Sequence, residues 1–312
     1  MAAVSATTLK ERIRCGFSVE SVEEMNEEYL QALKQTLIIV GDTELVSVAA
    51  IRHALEKAPN LNARLSLLSI MQDEIGHAHI AYRLLADLGE ELEAIVYQRP
   101  PQAWKHPYAF DFPMQSWAEL AVFNALIDRA GYVLLGDAFR HTSYGPWKRG
   151  LVKVDKEENF HLRHGETWVR RLCQRPESRA EVQRAVDWLF PMAIEQFGLP
   201  DGLKTRGAQL EYRLKGSTND ELRRQWLRSA MPFLLAVGLS VPAHLDAEQD
   251  EYVLDYPFPC AFDPEHKYWR FDQPCTWDEV IARWRRRGPG NQAFVAFLQR
   301  GYHDLQAQRE AL

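Results

Sequence analysis

Residues 73–77 read Asp-Glu-Ile-Gly-His and residues 157–161 read Glu-Glu-Asn-Phe-His, so the pattern Glu-x-x-His occurs twice, at Glu74 with His77 and at Glu158 with His161. A single copy carries no weight, because with ten histidines and this acidic content about one such pair is expected by chance. Taken singly, each of these acids also reads as an ordinary solvated or ion-paired side chain. Spacing changes the reading. On a helix, positions i and i+3 share a face, so each pair can offer an imidazole and a carboxylate to one metal ion. A dinuclear carboxylate site needs two such pairs plus one acid from each of two further helices. Glu44 stands thirty residues before Glu74, and Asp128 thirty residues before Glu158. The midpoint of the first interval falls at Pro59-Asn60 and that of the second at Ser143-Tyr144-Gly145-Pro146, both turn sequences. Each antiparallel hairpin therefore carries its acidic positions about fifteen residues from its turn, at one height, roughly 22 Å along the axis. Glu119 and Asp137 share the helix of Asp128 but lie about 13 Å to either side, too far to take its place.

The residue before each motif glutamate is also acidic. Metal-bound histidines donate their outer N–H to a carboxylate, so Asp73 is expected to serve His161, and Glu157 to serve His77, across the bundle. His79 and His164 read as outward-facing or at most peripheral. Helical periodicity runs from about Ser21 to Lys57, from Leu61 to Leu88 with a stop at Gly89, from Trp117 to Arg140 and from Pro146 to Cys173. Ser116 and Glu119 form a capping-box signature. Gln98 to Pro113, rich in Pro and aromatics, reads as a long crossover. Hairpin, crossover, hairpin is the connectivity of a ferritin-like four-helix bundle, and the chain is expected to be all-α. Further helices are expected at Glu177–Phe197, kinked at Pro191, at Asn219–Val237 behind Thr218, and at Trp277–Arg286 behind Thr276. Val241 to Pro274 reads as irregular, aromatic and ordered. The expected organisation is a bundle with a fifth helix over 1–215 and a mostly helical C-terminal extension over 216–312, packed on the bundle or on a partner.

Composition excludes several classes. The 312 residues are 46% hydrophobic and 26% charged, with a net charge of -6, which argues against a nucleic-acid footprint. No apolar run approaches the ~20 residues of a membrane span, and the N-terminal stretch lacks the apolar segment of a signal peptide. Cys15, Cys173, Cys260 and Cys275 show no C-x-x-C spacing and read as reduced, mostly packing residues of a cytoplasmic protein. Four carboxylates and two imidazoles make a hard, oxygen-rich donor set, which favours iron or manganese over zinc or copper(I); dioxygen chemistry favours two iron ions.

Four runs carry a resemblance: Met71-Gln72-Asp73-Glu74-Ile75-Gly76-His77, Thr142-Ser143-Tyr144-Gly145-Pro146, Lys156-Glu157-Glu158-Asn159-Phe160-His161 and Ser217-Thr218-Asn219-Asp220-Glu221-Leu222-Arg223. Together they resemble the catalytic components of the phenylacetyl-CoA epoxidase family, among the bacterial multicomponent di-iron monooxygenases. The similarity extends from about residue 25 to 245 and returns weakly at Gly290-Asn291-Gln292. It implies epoxidation of the aromatic ring of a coenzyme A thioester, in phenylacetate catabolism. It implies O2 as co-substrate and NADPH electrons through a separate reductase. Its implied partners are a ferritin-like non-catalytic subunit together with small accessory subunits, with no nucleic acid and no membrane. The metal ligands it implies fall on Glu44, Glu74, His77, Asp128, Glu158 and His161. In one position the chain departs from the pattern: members carry a lysine one turn before the first motif glutamate, where Ile70 stands here. The substrate phosphates call for basic groups, which Arg283, Arg285, Arg286 and Arg287 can offer, although such a run is more often a solvated helix face. A radical-generating ribonucleotide reductase subunit would place a tyrosine one turn past His77, where Ala81 stands. An iron-storage protein would end soon after its fourth helix, and a non-catalytic subunit has no reason to keep all six ligands.

Overall fold

The computed structural model describes residues 8–204 and 207–310. A short helix α1 (Leu9–Arg14) opens it. The first long helix, α2 (Glu27–Ile51), starts later than its apolar period suggests. Val22–Glu24 form a separate 3-10 turn, and the Asn26 side chain accepts the Tyr29 N–H to begin the helix. A 3-10 turn over Arg52–Lys57 ends it, where helical periodicity had suggested a continuous run. Asn60 then caps α3 (Leu61–Asp87) by accepting the Ala63 N–H, and Gly89, in the left-handed region at φ +85°, closes it. The crossover is a chain of short turns at Ala94–Gln98, Pro101–Ala103 and Tyr108–Asp111. Next come α4 (Trp117–His141) and α5 (Gly145–Leu172). Ser116 accepts the Glu119 N–H as a capping box requires, but the Glu119 carboxylate returns to the Gln115 N–H at 2.6 Å instead of the Ser116 N–H.

Within the bundle, α2 packs on α3, α4 on α5 and α3 on α5. The apolar core falls into two clusters. One joins the starts of α2 and α5 to the ends of α3 and α4, with Leu33, Leu37, Leu85 and Leu151. The other joins the opposite halves, with Val46, Leu67, Leu126 and Val169. The candidate ligands sit at the height that divides them, where burial without a partner for each charge would be costly.

The second cluster continues into α6 (Pro176–Glu195), which contains Pro191, and past the four-residue α7 (Ala208–Glu211) into α8 (Asn219–Ala236). Thr218 and Glu221 form the expected reciprocal cap, and Trp226 Nε1 donates to Leu126 O at 2.9 Å, docking α8 on α4. The stretch read as irregular is two antiparallel hairpins, β1 (Ala243–Asp246) with β2 (Glu251–Leu254) and β3 (Cys260–Asp263) with β4 (Tyr268–Pro274). Short strands with aromatic alternation leave too little periodicity to announce themselves. Trp269 Nε1 donates to Trp188 O at 2.9 Å, fixing the second hairpin on α6. Behind its expected Thr276 cap comes α9 (Trp277–Arg286), and then α10 (Pro289–Glu310), which the periodicity did not reveal. This last helix packs on α2 and on the crossover. Cys173 and Cys260 are buried, whereas Cys15 is exposed, so it is not a packing residue. Among the described residues no helix is long and apolar enough to cross a membrane.

Candidate metal centre

All six candidate ligands are buried: His77 and His161 at 0% exposure, Glu158 at 3%, Glu74 at 5%, Glu44 at 6% and Asp128 at 8%. Helix α2 supplies Glu44, α3 supplies Glu74 and His77, α4 supplies Asp128, and α5 supplies Glu158 and His161. Two triads of ligand atoms form within mutual reach, Glu44–His77–Glu158 and Glu74–Glu158–His161, so Glu158 belongs to both. His77 Nδ1 lies 3.3 Å from Glu44 Oε2 and 3.3 Å from Glu158 Oε1. His161 Nδ1 lies 3.1 Å from Glu74 Oε1 but off the hydrogen-bonding direction, which leaves that nitrogen buried without a hydrogen bond. Asp128 stands outside both triads, yet its carboxyl feels the charges of Glu74, His161, Glu158 and Glu44.

The outer faces of the imidazoles are occupied. His77 Nε2 lies 3.0 Å from Glu157 Oε2, and His161 Nε2 lies 3.4 Å from Asp73 Oδ2. These contacts cross between α3 and α5 in antiparallel register. They give each Nε2 a carboxylate to donate to and leave both Nδ1 atoms facing the inner acids, the arrangement metal-binding histidines adopt. Ser47, one turn past Glu44, donates to Glu74 Oε2 at 2.7 Å. Its spacing from Glu44 was the only sequence signal for it.

Electrostatics expose a competition for protons. Burial pushes Glu44 and Asp128 well above the usual carboxylate range, with the nearby Glu74 charge adding to the effect. Burial likewise pulls the histidines down, but their carboxylate neighbours overcome it. His77 rises to about 12 through Glu158 and Glu44, and His161 to about 11 through Asp73 and Glu74. Burial works against the Glu74 charge, yet the His161 ring beside it brings it down to about 2. Glu44 and Asp128 are thus pushed toward holding protons while both imidazoles are drawn toward the charged form. The donor chemistry and the orphaned His161 nitrogen fit a di-iron site.

A cavity of about 610 Å³ opens between α2 and α4, on the side away from the α3–α5 contact. On α2 it runs from Thr36 to Glu44, about 12 Å of helix, and on α4 from Gly131 to Ala138. Gly131 matters here: it lines the cavity, and a Cβ on it would stand 3.2 Å from Glu158 Oε2. Ile39, Leu134, Leu135 and Met192 give much of the wall an apolar character. Beyond them Lys204 and Lys215 both donate to Asn219 Oδ1, at 3.2 and 2.6 Å. Burial, with the Lys204 charge beside it, lowers Lys215 to about 8. These basic residues were invisible to sequence reasoning because only the fold brings 204 and 215 to one cavity.

The arginine run divides otherwise than the sequence suggested. Arg283 is buried against the Glu195 carboxylate, and Arg287 donates to Trp104 O at 2.8 Å and His106 O at 2.9 Å, so both are structural. Of the two exposed members, Arg285 lines the cavity. His79 is exposed, but His164 is buried, packed edge-on against Trp117, and burial lowers it to about 4. Its packing against Trp117, at the start of α4, and Trp168 explains why it does not point outward.

The family described as phenylacetic acid catabolic protein matches residues 3–258. The A component of the 1,2-phenylacetyl-CoA epoxidase of Escherichia coli K12 is 30% identical over 248 residues, covering 78% of this chain and 80% of that one. Benzoyl-CoA oxygenase component B of Aromatoleum evansii is 29% identical over 187 residues, 57% of this chain and 38% of that one. A Synechococcus protein with aldehyde deformylating oxidase activity superposes with a TM-score of 0.49 at 17% identity, over 69% of this chain and 93% of that one.

Proposed function

The chain belongs to the phenylacetic acid catabolic protein family, and from that premise we propose that it is the catalytic subunit of a multicomponent di-iron monooxygenase that epoxidises the aromatic ring of a coenzyme A thioester, phenylacetyl-CoA. The observation that carries the reading is one cavity that touches Glu44 and Gly131 at one end and the Lys204–Lys215 pair elsewhere along its wall. A thioester of this kind has an apolar ring to place beside the metals and phosphates to neutralise at a distance. The wall offers both.

In this reading Glu44, Glu74, His77, Asp128, Glu158 and His161 hold two iron ions. Bound there, the ions supply the sites and electrons for reductive activation of dioxygen. The chain's own residues do the rest. Asp73 and Glu157 keep the Nε2 protons in place, so each Nδ1 is available as a donor atom. Ser47 orients Glu74. Gly131 leaves the ring room beside Glu158, and the apolar wall excludes water from the reacting carbons. Lys204, Lys215 and Arg285 neutralise the phosphates. In balance, one ring double bond, one O2, two electrons and two protons give an epoxide and water. NADPH provides the electrons through a separate reductase, and a ferritin-like non-catalytic subunit with small accessory subunits completes the assembly.

Ile70, buried one turn before Glu74, supports a second reading of substrate only: an aromatic thioester other than phenylacetyl-CoA. The test is to purify the protein with its genomic neighbours, supply NADPH and phenylacetyl-CoA under labelled dioxygen, and look by mass spectrometry for a product carrying one labelled oxygen. Labelled product is expected. Turnover confined to another thioester would replace the substrate, and none on any aromatic thioester would end the oxygenase reading.

A further inference from the structure

The side of the centre opposite the cavity has a composition of its own. The exposed charged residues of α5 are Lys148, Arg149, Lys153, Lys156, Arg163, Arg170 and Arg171, all basic, in a chain of net charge -6. Beside it the exposed positions of α3 from Leu61 to His79 include no acid. They show Leu61 at 69% exposure, Leu65 at 52%, Leu68 at 45% and Ile75 at 50%. Phe160, on α5, is 44% exposed and stacks edge-on against the His161 ring. A cationic face with exposed apolar side chains favours an acidic protein surface over solvent.

On the same face a short chain of contacts runs from the surface to the centre. Lys153 Nζ, 59% exposed, lies 2.6 Å from Glu157 Oε2, and that oxygen lies 3.0 Å from His77 Nε2. Asp73, also only partly covered, reaches His161 in the same way. From the surface to either imidazole is thus one side chain. The cavity, by contrast, lies between α2 and α4, so a protein seated on α5 leaves the substrate route clear.

Resting on the oxygenase reading, we infer that the outer face of α5, with the groove it forms against α3, is the docking surface for the acidic face of the electron-carrier protein that reduces the centre. The carrier gives up one electron per encounter, and the electron crosses through Glu157–His77 or Asp73–His161 to the metal pair. Two encounters serve each turnover, and the carrier is restored by NADPH. Interfaces of this kind are small, salt-sensitive and short-lived.

The test uses the oxygenase assembly purified with its partner subunits, and the reductase encoded beside it. Lys156→Glu with Arg163→Glu reverses two charges on the outer face without touching a ligand or the carboxylates behind the imidazoles. Expected are a roughly tenfold or greater weakening of reductase binding at low salt, a flattened dependence on ionic strength, and slower anaerobic reduction by the reductase. Reduction by dithionite and the subunit composition on gel filtration stay as in the wild type. The milder pair Lys156→Gln with Arg163→Gln moves the same readouts less and covers the chance that reversal harms folding. Wild-type binding and reduction rates in both variants would overturn the inference. So would loss of a structural subunit from the variant, which would make the face a permanent interface. An assembly that accepts electrons at this face but oxygenates no thioester would leave the docking surface standing and remove the substrate reading alone.

Discussion

Glu158 belongs to both triads of candidate ligand atoms, so the acids and imidazoles around it share one set of protons. His77 and His161 are drawn upward by their carboxylate neighbours, to about 12 and about 11, so both rings are charged at neutral pH. Burial pushes Glu44 and Asp128 well above the usual carboxylate range. A metal ion takes the unprotonated forms only, so filling the site must expel these protons. Affinity therefore rises with pH, and bound metal is lost as pH falls. Calorimetry of ferrous ion binding in buffers of different ionisation enthalpy is expected to show release of about two protons or more per filled site. No buffer dependence would mean that these side chains are not the ligands.

The hairpin of α4 and α5 holds half of that centre, and its geometry turns on a close approach. A Cβ added at Gly165 would lie 2.3 Å from the backbone N of Ala125 and 2.6 Å from the carbonyl carbon of Asn124. Backbone cannot yield as a flexible side chain does, so the helices would have to separate. Gly165→Ala gains about 1 kcal/mol of helix propensity but incurs an overpacking cost of up to about 3 kcal/mol. Overpacking wins, and a net destabilisation of about 2 kcal/mol is expected, read as a lower denaturant midpoint with unchanged slope. A more stable variant would show that the two helices can part without cost. His161 lies one turn from Gly165, so the same variant is expected to hold metal less firmly.

Across the whole molecule, charge is distributed against the average: the chain is net acidic, yet the cavity wall and the outer face of α5 are basic. Lys204→Gln with Lys215→Gln is expected to raise KM for the thioester about tenfold or more, from the loss of charge-assisted hydrogen bonds. Metal content and kcat stay near wild type, and steady-state kinetics with iron analysis check both. An unchanged KM would place the phosphates elsewhere. The bundle was legible in the chain because helical period and ligand spacing are local quantities: residues 44, 74, 128 and 158 keep their relative heights whenever the turns lie at their midpoints. Boundaries such as Glu27 instead of Ser21 were less legible, because a cap depends on one side chain reaching one amide. The β-hairpins, α10 and the inward turn of His164 were not legible at all, since burial against distant residues decides them. By itself, then, the sequence determined the four helices and the six candidate ligands, for periodicity alone specifies which residues share a face and a height. Only the tertiary structure decided where the cavity opens, that Gly131 in its wall stands beside Glu158, and which cations line it. Those depend on how helices far apart in the chain are set side by side, and no local spacing encodes that.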